Sequence, residues 1–356
     1  MRICLVSEHY PAEHGSAPDR ALFAIGQGLV DEGHELEAWS WKDSPPDLAP
    51  PPWCRWEPLP PEPVMRTRAR AILRPRSDVV RAGWRPPPAA DVVVADDVVS
   101  FAAVAAAERA VLTVHYSAVL DGLALRSVSP ARLQDVRAER RAARAAALCT
   151  AYSVRVAAAL PRPTVEVPVA YPVPAEPLEP VAEPTAGLLA GWHWPANRWA
   201  LRRLLAAWPA VRRRLPRARL VLAGPGLRVD EVGEVPGVEV RGRLRRSADL
   251  LSELAVVAFP CPPTSGPKIK VLEALAHGIP VVTTPAGLEG LVPDAARGAS
   301  VCTDVAEFAQ ALISLLSDPE AGLQMGVAGR AAVLAAHSPR AAARARVSAY
   351  RSAFGL

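Results

Sequence analysis

Short apolar runs and longer stretches of helical period take turns along this chain, and the rhythm plays twice. Residues 2–7 hold the β-branched Ile3 and Val6 in a continuous apolar run, which predicts a strand. A polar loop with Pro11, Gly15 and Pro18 follows. Leu22, Phe23, Ile25, Leu29 and Val30 then recur at helical spacing over 20–32, and Gly33 marks the stop. Residues 35–41 read as a second strand, so the opening is a strand–helix–strand unit and predicts a parallel sheet. Further strands are predicted at 91–95, 111–115 and 147–151, with a charged helix at 130–146. Residues 43–65 are proline-rich and read as an irregular excursion. Residues 161–180 are again dense in proline, and the domain boundary is placed there.

The second half repeats the pattern. Strands are predicted at 187–191, 219–223, 238–241, 256–260 and 281–283. Helices are predicted at 197–215, 269–277, 305–316, 324–337 and 340–354. Two such halves imply an α/β chain of two doubly wound, parallel-sheet (Rossmann-like) domains facing across a cleft, with ligands beyond the carboxyl ends of the strands.

Composition agrees with this reading and removes other classes. The 356 residues correspond to about two domains at roughly 150 residues each. Half of them are hydrophobic and 22% charged, a globular balance. No apolar run approaches the ~18 residues of a membrane helix. The N-terminal apolar stretch, Ile3 to Val6, is too short for a signal peptide. Cys4, Cys54, Cys149, Cys261 and Cys302 are odd in number and widely spaced, with no CxxC pair, so neither a disulfide framework nor a zinc site is expected. Together these point to the cytoplasm. The net charge of +5 suits an anionic ligand and does not argue for nucleic acid. The stretch 66–85 holds seven arginines and one acid, Asp78. It reads as a solvated helix, or as a contact for an anionic acceptor or a membrane surface.

The chemistry concentrates in residues 261–287, CPPTSGPKIKVLEALAHGIPVVTTPAG. The loop Ser265-Gly266-Pro267 presents backbone above the sheet, and the next helix points its positive end at the same place, which favours a phosphate. Lys268 and Lys270 add cations there. Lysine is scarce in this arginine-rich chain, and two of its three lysines fall in this loop. Glu273 is a carboxylate beside a phosphate site, a combination that suits ribose hydroxyl donors. Backbone amides, lysines and this carboxylate together read as a nucleoside-diphosphate site. The turn Gly224-Pro225-Gly226 is not a GxGxxG fingerprint, which lowers a dehydrogenase reading.

The same stretch closely resembles the nucleotide-sugar segment of the retaining, family-four type of glycosyltransferases with the GT-B fold. Leu272-Glu273-Ala274-Leu275-Ala276, Gly278, Pro280-Val281-Val282-Thr283-Thr284 and Gly287 match that family's pattern. The N-terminal strand with its glycine loop, the turn Gly33-His34-Glu35, the spacing from Gly191 to Asn197 and the stretch from Ala218 to Gly226 resemble it too. The resemblance covers most of the chain outside about 43–90. Many members carry two glutamates eight positions apart, and here Ser265 stands at the first position, ahead of Glu273. A subgroup with GSG and a basic residue is similar to Ser265 through Lys268.

The resemblance implies the following assignments. Residues 1–170 bind the acceptor, 171–339 bind the nucleotide sugar, and 340–356 form a final helix crossing back, with Ala343, Val347, Tyr350 and Phe354 on its apolar face. Gly15, Ser16, Gly191, Arg198, Gly266, Lys268, Lys270 and Glu273 hold the donor, while His115 and Ser265 face the reacting sugar. Trp192 and Trp194 are candidates for stacking on a ring. No metal and no cofactor beyond the nucleoside-diphosphate sugar are implied. The implied activity is retaining transfer of a hexose from UDP- or GDP-sugar to a hydroxylated acceptor, a natural product or a cell-envelope glycan. The residues also leave open a non-catalytic sugar-binding or scaffold protein and a nucleotide-sugar epimerase.

Overall fold

Val92, Val93 and Val94 are all buried in one strand, the mark of a parallel sheet covered on both faces. The computed structural model describes residues 1–40, 50–56, 89–126 and 129–356. The arginine-rich stretch 66–85 and most of 43–65 lie outside the described residues. The chain divides into two units, Met1–Pro172 with His337–Leu356, and Val173–Ala336.

The first unit contains β1 (Arg2–Ser7), β2 (Glu35–Ser40), β3 (Cys54–Trp56), β4 (Val92–Ala95), β5 (Ala110–Val114), β6 (Leu148–Ala151) and β7 (Val165–Glu166). They form one parallel sheet in the order β3-β2-β1-β4-β5-β6-β7. The order reverses between β1 and β4, which opens a crevice at their carboxyl ends. Alternate residues of the central strands feed two cores. Val92, Val94 and Val111 pack with Leu22, Ile25 and Leu29 of the helix Ala17–Asp31 and with Val347 and Tyr350 of the helix Pro339–Phe354. Val93, Ala95 and Leu112 pack with Phe101, Val104 and Ala143 on the other face.

The helix Ala17–Asp31 begins three residues before its apolar periodicity does. Ser16 caps it, donating from its amide and hydroxyl to Asp19 at 2.9 and 2.6 Å. Pro18 is tolerated in the first turn, where its missing N–H is no loss. β3 and β7 lie in stretches expected to be irregular, because two or three residues are too few to display an alternation. The helix Pro339–Phe354 buries Ala342, Ala343, Val347 and Tyr350, and also the charged Arg346.

The second unit contains β8 (Thr185–Leu189), β9 (Arg219–Ala223), β10 (Val238–Val240), β11 (Val256–Phe259), β12 (Val281–Thr283) and β13 (Ala299–Val301). The order is β10-β9-β8-β11-β12-β13, all parallel, with the reversal between β8 and β11. Helices follow at Pro195–Arg214, after β8, and at Ile269–Ala276, after β11. Their N-termini therefore converge on the carboxyl edge at the reversal point. No helix among the described residues is long and apolar enough to cross a membrane. All five cysteines are buried and unbridged.

Candidate active site

In the second unit, β11 ends at Phe259 and the chain crosses the sheet edge through 260–268 before entering the helix Ile269–Ala276. Gly266 sits at φ +74°, a conformation that L side chains rarely adopt. The Lys268 ammonium turns back into this loop and donates to the carbonyls of Thr264 and Ser265, each at 3.1 Å, and to that of Gly266. It folds the loop around itself while keeping its positive charge at the helix N-terminus. The Gly266 amide donates to Glu289 Oε1 at 2.8 Å. Ser265 is buried.

Lys270 spans the reversal point. Its Nζ donates to Asn197 Oδ1 at 2.9 Å and lies 4.3 Å from the centre of the Phe259 ring. Asn197 in turn donates from Nδ2 to the Gly191 carbonyl at 2.8 Å. One asparagine thus couples the loop after β8 to the lysine after β11. Burial, with the Lys268 charge nearby, pushes the Lys270 ammonium down to about 8. Glu273 is buried on the same helix and accepts from the Ser247 hydroxyl.

Two sequence-based assignments change. Arg198 was expected to grip the donor diphosphate. Its guanidinium is instead committed to the Trp192 carbonyl at 2.6 Å, the Gly226 carbonyl at 2.7 Å and the Glu231 carboxylate. It clasps the loops after β8 and β9 together. Trp192 was a candidate for ring stacking, but it is fully buried and donates from Nε1 to the Ala223 carbonyl at 2.8 Å, whereas Trp194 is exposed. The Gly224 backbone explains the tight packing here: a Cβ on it would lie 2.0 Å from the Ala190 carbonyl oxygen.

In the first unit, Gly15 and Ser16 have local tasks at the helix cap. A Cβ on Gly15 would lie 2.6 Å from that of Asp19. His115 follows β5 directly, beside Asp96, which follows β4, and His9, two residues beyond β1. His115 Nε2 lies 3.3 Å from Asp96 Oδ2, and its ring is 6.4 Å from that of His9 and 4.8 Å from that of Tyr152. Asp97 accepts from the Glu8 amide at 3.0 Å and from the Ser100 hydroxyl at 2.6 Å, tying the loops after β1 and β4. Burial works against the Asp96 charge, but His115, Arg346 and His9 together bring its carboxyl down to about 2. Burial and the His115 charge lower His9 from its ordinary value.

The structure therefore brings Ser265, Gly266, Lys268, Lys270 and Glu273 onto one loop and helix, and Gly191 to Lys270 through Asn197. Gly15, Ser16 and His115 belong to the other unit. Sequence reasoning missed Asn197 as a site residue, and also Ser247, Glu289, His9, Asp96 and Arg346. Only Asn197 stood in a quoted motif; the others lie far in sequence from the groups they touch. Among the described residues, no three His, Cys, Asp or Glu side chains cluster as a metal site.

Residues 183–318, which carry this loop and helix, match the family model described as Glycosyl transferases group 1. The second unit is a group 1 glycosyltransferase domain. The whole chain has the GT-B fold of two parallel-sheet domains. The chain is similar in structure to a sucrose-phosphate synthase from Thermosynechococcus elongatus, with a TM-score of 0.72, 18% identity and 99% of each chain covered. It is also similar to Anabaena Alr3699/HepE, solved in complex with UDP-glucose, with a TM-score of 0.64, 16% identity, and 99% of this chain and 100% of that one covered. WaaG, a glycosyltransferase involved in lipopolysaccharide biosynthesis, gives a TM-score of 0.63 at 14% identity, covering 99% of this chain and 100% of that one. No curated protein sequence matches this chain.

Proposed function

We propose that this glycosyltransferase moves a hexose from a UDP- or GDP-sugar to a hydroxylated acceptor, a natural product or a cell-envelope glycan, with retention at the anomeric carbon. The observation that carries the reading is the bridge Gly191–Asn197–Lys270 at the reversal point of the second sheet. It joins two helix N-termini and an ammonium where a diphosphate is best stabilised. UDP-glucose in the structurally similar Anabaena protein supports a nucleotide-sugar donor.

In this reading the backbone amides of the loop, the helix N-terminus, Lys268 and Lys270 take up the charge that develops on the departing diphosphate. They act without a metal ion, and no cofactor accompanies the donor. Glu273 holds the ribose hydroxyls, and Ser247 orients it. His115 serves the acceptor side in the first unit. The resemblance noted from the sequence supports retention, and the cytoplasm is the expected compartment.

The test uses the full chain. UDP, GDP, ADP and TDP are screened by thermal shift, where ligand at 100 times its Kd adds about 2.7 kcal/mol. The matching sugar donors are then incubated with and without hydroxylated acceptors, and NMR reads the anomeric configuration of the product. An axial-to-axial or equatorial-to-equatorial outcome supports retention. An inverted product overturns it, donor binding without transfer leaves a sugar-binding protein, and a changed free donor without acceptor identifies an epimerase.

A further inference from the structure

Asp96 is the most enclosed acid among the described residues of the first unit; its Oδ1 carries its hydrogen bonds, and its Oδ2 makes none and stands at ion-pair distance from His115. Oδ1 accepts from Arg346 Nη1 at 3.3 Å, from Arg346 Nη2 at 3.4 Å and from the Tyr152 hydroxyl at 3.4 Å. Oδ2 faces His115 Nε2 at 3.3 Å. Arg346 also donates to the Tyr152 hydroxyl. Asp96 and Arg346 are each 1% exposed, whereas the His115 side chain keeps 17% of its surface in solvent. A solvent-reachable imidazole thus stands in front of a sealed charge pair.

We propose that Asp96 and Arg346 are positioning residues for the transfer reaction: the carboxylate holds the His115 proton on Nε2, and the guanidinium holds the carboxylate. The inference rests on the glycosyltransferase function proposed above. The nitrogen that carries the proton of a neutral imidazole is set by what the ring faces. A carboxylate at Nε2 keeps the proton there and leaves the Nδ1 lone pair for an acceptor hydroxyl. Tyr152 fixes the ring from the side. The other charged groups on this edge are His9, beyond β1, with its ring 6.4 Å from that of His115, and Asp97, beyond β4; the ion-pair contact at Nε2 is with Asp96. Arg346 comes from the helix Pro339–Phe354, 250 residues further along the chain, so the last helix reaches the catalytic face of the first sheet through one buried guanidinium. A pair serving stability alone would not need its second oxygen on a histidine that still reaches solvent.

The experiment is nitrogen-15 NMR of the full chain with labelled histidine, combined with steady-state kinetics. Wild-type His115 should carry its proton on Nε2. In Asp96→Asn the His115 proton should no longer be held on Nε2 but divide between Nε2 and Nδ1, and kcat should fall at least tenfold with donor KM within threefold. Arg346→Lys should retain most of the wild-type rate, and Arg346→Met should not. A wild-type proton on Nδ1 overturns the proposal, and that result needs no variant to fold. An unchanged His115 tautomer or an unchanged kcat in folded Asp96→Asn also overturns it. If no donor is turned over while the NMR signature holds, the proposed function fails instead, because the tautomer is read without turnover.

Discussion

The Gly266 amide donates to the Glu289 carboxylate across 2.8 Å, so a negative charge already stands at the loop assigned to the donor diphosphate. Glu289→Gln keeps an oxygen that can accept from the amide and removes the charge. Relief of like-charge repulsion of about 1 kcal/mol should tighten UDP or GDP binding ~5-fold, as read by titration calorimetry. Weaker binding would make Glu289 a scaffold of the loop instead of a competitor for it.

Glu273 is buried and accepts from the Ser247 hydroxyl. Glu273→Ala removes a charged hydrogen-bond acceptor and should weaken nucleotide binding by ~1.5–3 kcal/mol. Ser247→Ala leaves the carboxylate in place and should cost only ~0.5–1.5 kcal/mol. The two losses should not add in the double variant, because both act through one carboxylate. Unchanged affinity in folded Glu273→Ala would remove the ribose assignment.

Lys270 gives nucleotide binding a pH signature. Its ammonium is pushed down to about 8, so it is charged at pH 7 and loses its proton as pH rises through 8. Affinity for a nucleoside diphosphate should fall across that interval, by calorimetry between pH 6.5 and 9.5, and Lys270→Arg should flatten the fall. Stability moves the other way. The unfolded chain holds this proton up to the ordinary lysine value, so between about 8 and 10.5 it binds more protons than the folded one, and unfolding free energy rises with pH through this group.

A Cβ on Gly28 would lie 2.0 Å from the Pro339 carbonyl oxygen, where the helices Ala17–Asp31 and Pro339–Phe354 meet. Gly28→Ala should destabilise the first unit by ~1–3 kcal/mol, as overpacking does. Deleting 340–356 removes Arg346 and leaves Asp96 buried without its cation, which costs more, ~3–5 kcal/mol. In thermal denaturation the first transition should drop while the second unit keeps its nucleotide affinity. A truncated chain with full turnover would refute this dependence.

Metal removal makes a further test. Transfer should survive EDTA, because the loop lysines and helix N-terminus are assigned the charge of the leaving diphosphate. Loss of activity restored by manganese or magnesium would overturn that assignment.

The parallel sheets were legible because Val92 to Ala95 and Val256 to Phe259 are short apolar runs set between helical periods. The loop and helix proposed for the donor were legible as one stretch because their residues are contiguous, from Ser265 to Glu273. What escaped is what depends on distant partners. Arg346 reads as a polar position on an exposed turn until Asp96 is placed beside it. Arg198 reads as a free cation until the carbonyls of Trp192 and Gly226 close on it. The helix start at Ala17 was missed because a cap is set by Ser16 and Asp19, not by apolar spacing.

Two of the chain's three lysines, Lys268 and Lys270, sit in the donor loop, and the third is Lys42. If these lysines hold the donor as proposed, amine chemistry on this protein falls largely on that site. Acylating dyes, amine cross-linkers and amine-coupled sensor surfaces find few targets besides the N-terminal amine, and Lys270, with its ammonium brought down to about 8, is partly deprotonated at the mildly alkaline pH such reagents require. Labelling should be performed through an added tag, and protection of Lys270 from acylation by nucleotide offers a mass-spectrometric footprint of the donor.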